Sequence, residues 1–124
     1  MRFMMIVKST ERSGLPPKPL IDAIGKLSEE AAKAGTMVGS GGLAPTALGA
    51  RVRLSHGKLS VIDGPFIETK EVIGGYAQFD LTSKEEAIKS AVKFMELHKQ
   101  HWPDWEGETE VRQMFGPEDF PCNG

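Results

Sequence analysis

The run Phe3-Met4-Met5-Ile6-Val7 constrains this chain more than any other segment. It is too short for a helix with a polar face and too apolar for a strand with one side in water. It reads as a central strand buried on both faces. In extended chain Phe3, Met5 and Val7 share one face, and Met4 and Ile6 share the other. Both faces need cover.

The rest of the chain shows what can provide it. Leu20, Ile24, Leu27, Ala31 and Ala34 recur at helical spacing, which predicts a helix from about Lys18 to Ala34 with Gly35 at its C-terminal cap. Ser83 and Glu86 form a capping box that opens a second helix, with Ala87, Ile88, Ala91, Val92 and Met95 as its expected buried stripe. Pro103 ends it. Strands are expected from Thr36 into the glycines at 39, 41 and 42, over 72–81, and over Thr109 to Phe115. Residues 51–55 and 58–62 alternate around His56-Gly57, the strongest hairpin signal in the chain.

The order is β-α-β, a hairpin, then β-α-β. It predicts an α+β, ferredoxin-like βαββαβ fold with an extra central β-hairpin, one domain over residues 1–116 and a short tail over 117–124. Two helices cover only one face of such a sheet. Both faces of the first strand are apolar, so the face left open points to a homodimer built through the sheets.

The balance of 15 basic and 17 acidic residues, net −2, excludes nucleic acid as the expected partner. No apolar run approaches the roughly 20 residues of a membrane helix. Cys122 is the only cysteine, so no internal disulfide can form. No secretory pattern opens the sequence, and the cytoplasm is the expected location.

The densest group of chemical side chains follows the hairpin. Asp63 precedes Gly64-Pro65, where it is either a turn residue or a fixed general acid or base. Glu68, Lys70 and Glu71 come next; in extended chain Glu68 and Lys70 lie on one side, as a polar pocket for a hydroxylated or anionic substrate requires. Gly74-Gly75-Tyr76 offers a close backbone approach and a phenol. Arg112, on the last strand, pairs with Glu108 or Glu110 or contacts an anion. His98 and His101 lack a third ligand and are explained by the helix C-terminal dipole, so no metal and no cofactor are expected.

The string Val61-Ile62-Asp63-Gly64-Pro65-Phe66, then Glu68-Thr69-Lys70-Glu71, then Gly74-Gly75-Tyr76, resembles the YCII-related proteins. It resembles in particular the branch named for its Asp-Gly-Pro-Phe (DGPF) motif. The likeness extends from the Met-Arg-Phe-Met-Met start to Glu110-Val111-Arg112. It implies the dimeric α+β barrel arrangement. Most members of that family have no assigned activity. A related branch pairs a histidine with an aspartate, and at least one member eliminates chloride from a hydroxylated chloroaromatic. Genes of the DGPF branch often accompany extracytoplasmic-function sigma factors.

Two functions are therefore expected. The first is a small-molecule enzyme of proton-transfer or lyase type, with Asp63 moving the proton in a cleft at the dimer and Lys70 or Arg112 stabilising charge. The second is a non-catalytic binding or regulatory module, with a sigma factor as partner. A third, an oxygenase like those on other dimeric barrels, rests on fold analogy alone.

Overall fold

The computed structural model describes residues 1–10, 14–66 and 71–119. The strands are β1 (Arg2–Ser9), β2 (Met37–Gly42), β3 (Ala50–Ser55), β4 (Lys58–Asp63), β5 (Val72–Asp80) and β6 (Gly107–Gln113); the helices are α1 (Lys18–Lys33) and α2 (Lys84–His101). Four strands form one sheet in the order β2-β5-β1-β6, with each neighbouring pair antiparallel. β1-α1-β2 and β5-α2-β6 are thus interleaved βαβ units, the ferredoxin-like topology. β1 is central, as its two apolar faces require.

Local chemistry sets the helix ends. Gly35 has φ +77°, the Thr36 amide donates to Ala31 O (3.0 Å) and the Gly35 amide to Ala32 O (3.1 Å). This is a Schellman close, in which glycine accepts a left-handed backbone at little cost. At the start of α2, Ser83 Oγ accepts from the Glu86 amide (3.2 Å). The return bond of the capping box runs one residue further back than expected: Glu86 Oε2 accepts from the Thr82 amide (3.0 Å).

Two expectations need correction. The buried stripe of α2 is Ala87, Ala91 and His98, whereas Ile88 and Val92 are about half exposed. The small side chains at 87 and 91 are what let the helix sit close on Phe3, Met5 and Phe79. The last strand also lies earlier, ending at Gln113 and starting at Gly107, which pairs with Ser9.

β3 and β4 stand apart as a two-stranded sheet. The turn residues His56 (φ +52°) and Gly57 (φ +77°) both have the positive φ of a type I′ hairpin turn. Val52 pairs with Val61 and Leu54 with Leu59, and these four side chains are 68–73% exposed.

The core of the four-stranded sheet is small. Phe3, Met5, Phe79, Ala87 and Ala91 form one buried cluster at one end of the space between helices and sheet. The other end of that space is open. Met4 and Ile6, on the opposite sheet face, are only half-buried.

Candidate functional site

The open end is a cavity of about 720 Å³. Its shape follows from the sequence. Leu20, at the start of the α1 stripe, is fully buried, but Ile24 and Leu27 further along are half-buried and line the cavity. Met5, Val7, Ala77 and Phe79 line it from the sheet. Phe94 and His98 line it from α2, and Trp102 and Trp105 from the chain that follows. An apolar chamber with a few polar groups is the usual form of a small-molecule site.

His98 is the buried polar residue here, 7% exposed. Its Nδ1 lies 3.1 Å from Phe94 O. Its ring is tilted against Phe94 (centroids 4.7 Å apart) and Trp105 (4.5 Å), and Trp105 stacks on Trp102 (6.1 Å, 24°). Gly107 holds this stack in place. A Cβ there would lie 2.3 Å from Trp105 Cζ2 and 2.6 Å from Lys8 O, so only glycine lets the indole lie against the strand.

Burial pushes the His98 ring below its ordinary value of 6.5, and the Phe94 carbonyl offsets only part of that. The unfolded chain takes the proton near 6.5, while the native ring resists it. Stability is therefore highest above 6.5 and falls as pH drops through that value toward the lower native one. The fall in melting temperature from about pH 8 to about pH 5 should be smaller in His98→Gln than in wild type. Equal falls would contradict this placement of His98.

The structure scatters the residues expected from sequence. Tyr76 borders the cavity along β5, but it pairs with Ile6, so its ring stands on the opposite, uncovered face of the sheet. It also pairs with Gly41 across the sheet, and its ring lies over that glycine: a Cβ on Gly41 would be 3.1 Å from Tyr76 Cε1. Arg112 lies away from the cavity wall, with Nε 3.5 Å from Glu110 Oε2, and Glu110 also accepts from Lys8. That hydrogen bond holds the Glu110 carboxyl below its usual range and raises the Lys8 amine. Gly74 is the extra residue of a bulge, since Val7 pairs with Gly75 and Lys8 with Ile73. Glu68 and Lys70 lie outside the described residues.

Asp63 ends β4, exposed, and does not line the cavity. Its carboxylate accepts no hydrogen bond from the described residues, so the expected turn bond is not made. The rest of the motif is structural. The Gly64 amide donates to Gly49 O (2.9 Å), and the Phe66 amide donates to Thr46 Oγ1 (3.3 Å). Arg51 lies over the Phe66 ring (3.9 Å), and the Gly64–Pro65 bond is cis. The motif thus fastens the hairpin base to the turn Thr46–Leu48, and Thr46 lines the cavity. Asp63 is one residue from that contact. Asp63→Ala should change stability by less than about 0.5 kcal/mol, a melting shift within about 2 °C. A clear fall would show a structural bond that these contacts lack.

His98 is the residue that reasoning from sequence missed as a cavity group. The signal was there: His98 follows Ala91 by seven residues, which is two helical turns along the same face. Among the described residues no group of three His, Cys, Asp or Glu is placed to hold a metal, and no helix is long and apolar enough to cross a membrane.

Comparison with known proteins gives the lineage. A stretch of 49 residues is 45% identical to an uncharacterised protein of Rhizobium meliloti (strain 1021). The match covers 40% of each chain. The model of the YCII-related domain matches residues 1–95, a span that takes in β1 to β5 and most of α2 but stops before His98 and both tryptophans. On that match, the chain belongs to the YCII-related family.

Proposed function

We propose that the protein holds an uncharged, largely apolar small molecule in the helix–sheet cavity and performs proton-transfer, lyase-type chemistry on it. The cavity carries this reading: a chamber of about 720 Å³ occupies space that a domain of this size would otherwise fill with core side chains. Asp63, exposed, with no hydrogen bond to a described residue and one position from the Gly64–Thr46 contact, is the proton-transfer group of this reading. Charge stabilisation by Lys70 and substrate contact by Glu68 belong to the same proposal, whereas Arg112, held by Glu110 on the other face of the sheet, takes no part in it. The Asp63-Gly64-Pro65-Phe66 run supports membership of the DGPF branch.

The test is thermal melting against a panel of neutral aromatic and alicyclic alcohols, ketones and lactones. A ligand at 100 times its Kd stabilises by about 2.7 kcal/mol, which here is a rise of roughly 10 °C. Asp63→Asn should keep that rise while abolishing turnover of a responding compound. No rise across the panel would contradict the reading.

A second observation supports a second copy of the chain as partner. An isolated two-stranded hairpin is marginal in water, yet this one exposes the facing pairs Val52–Val61 and Leu54–Leu59. The half-buried Met4 and Ile6 lie on the uncovered sheet face. We read both surfaces as parts of one homodimer. The self-paired charges Lys8, Glu110 and Arg112 on that face leave no single-sign patch for a strongly charged partner. A monomeric wild-type protein would favour the non-catalytic alternative, a regulatory module that docks another protein such as an extracytoplasmic-function sigma factor.

A further inference from the structure

We propose that His98 is the polar anchor of the cavity, its Nε2 accepting a hydrogen bond from a hydroxyl or N–H on a neutral ligand with a flat, otherwise apolar ring. The inference rests on the reading of the cavity as a ligand site and names the chemistry it selects.

The tautomer comes first. Phe94 O lies 3.1 Å from Nδ1 and can only accept, so Nδ1 carries the proton. In a neutral ring Nε2 is then an acceptor. Nε2 makes no hydrogen bond to any described residue. No buried side-chain nitrogen or oxygen among the described residues is without a partner, so Nε2 is not sealed in the protein. His98 is 7% exposed and lines the cavity, so the cavity is the space Nε2 meets. A histidine kept only to fill the core would have both nitrogens bound by the protein.

Ligand shape and charge follow. Phe94 and Trp105 contact the imidazole and fix its plane, and Trp102 extends the aromatic wall. Flat rings pack well against such a surface. Lys93 and Glu30 also line the cavity, but both are exposed, and neither forms an ion pair or hydrogen bond with His98. No described charge is therefore paired with His98 to balance an ionic ligand at Nε2. A carboxylate at Nε2 would need the imidazolium, which this burial opposes.

Isothermal titration calorimetry near pH 7.5 with 2-naphthol and 2-methoxynaphthalene tests the anchor. The two probes share a ring system, but only the first can donate. Wild type should bind 2-naphthol about tenfold more tightly. His98→Asn keeps an N–H for Phe94 O but ends short of Nε2, and should reduce the preference to less than about threefold. His98→Gln keeps an acceptor near Nε2 and should retain part of it. Equal wild-type affinities, or a preference that survives in His98→Asn, would overturn the anchor and leave the cavity reading standing. Binding of neither probe would overturn both. If the Asn variant does not fold, nitrogen-15 NMR of the wild-type imidazole decides. The Nε2 resonance should move with 2-naphthol and not with the ether, and an unmoved resonance under bound 2-naphthol overturns the anchor.

Discussion

Gly64→Ala is expected to lower the melting temperature by roughly 10 °C or more. A Cβ on Gly64 would lie 1.6 Å from the Thr46 carbonyl oxygen, 2.5 Å from its carbon and 3.2 Å from the Ala47 nitrogen. All three are backbone atoms, so no side chain can rotate out of the way. Overpacking usually costs about 1–3 kcal/mol, and this contact belongs at or beyond the upper end. Gly64 is not needed for its φ, since the positive-φ glycines are 14, 35 and 57. It is needed for space. Neighbouring Asp63→Ala should be nearly neutral, so the two variants together separate the structural half of the motif from its free carboxylate. A Gly64→Ala protein that melts like wild type would contradict the seating of the Thr46–Leu48 turn on the hairpin base.

The second large effect concerns assembly. Leu59→Asp places a charge on the hairpin's apolar face, opposite Leu54 and next to Val61. If that face is covered by a second copy, the charge is buried without a partner. The dimer dissociation constant should rise by about 100-fold, roughly 3 kcal/mol. Sedimentation equilibrium of wild type and variant measures it. The helical circular dichroism of the variant should persist, because the hairpin is not hydrogen-bonded into the four-stranded sheet. A wild type that sediments as a monomer at high micromolar concentration would rule out the second copy as occupant.

The elements were legible because their signals are local. The 3.6-residue stripe and Gly35 bounded α1, Ser83 opened α2, and His56-Gly57 set the hairpin. The apolar two-sided run placed β1 at the sheet centre, and the interleaved order gave the topology. The site was less legible because it is made by what does not meet. Ile24 and Leu27 look like core positions in the sequence, and nothing local says that the sheet stays away from them. Ile88 and Val92 look better buried than Ala87 and Ala91, yet the alanines win because they allow closer packing. His98 and His101 looked alike as helix-end cations. Tertiary packing buries one ring against Trp105 and leaves the other outside that stack. Of the expected site residues, Tyr76 sits on β5 with its ring on the face away from the cavity, Asp63 does not line it, and Arg112 is taken up by Glu110.

The central claim is that the cavity takes a neutral apolar small molecule, and the two tryptophans report on it directly. Trp102 and Trp105 are the only tryptophans in the chain and both line the cavity. Proton–nitrogen NMR of the wild-type protein titrated with 2-naphthol therefore locates binding from two indole signals. The account predicts that both signals shift saturably, with one site per chain. Indole signals that stay fixed, or that drift in proportion to added compound without saturating, would contradict it.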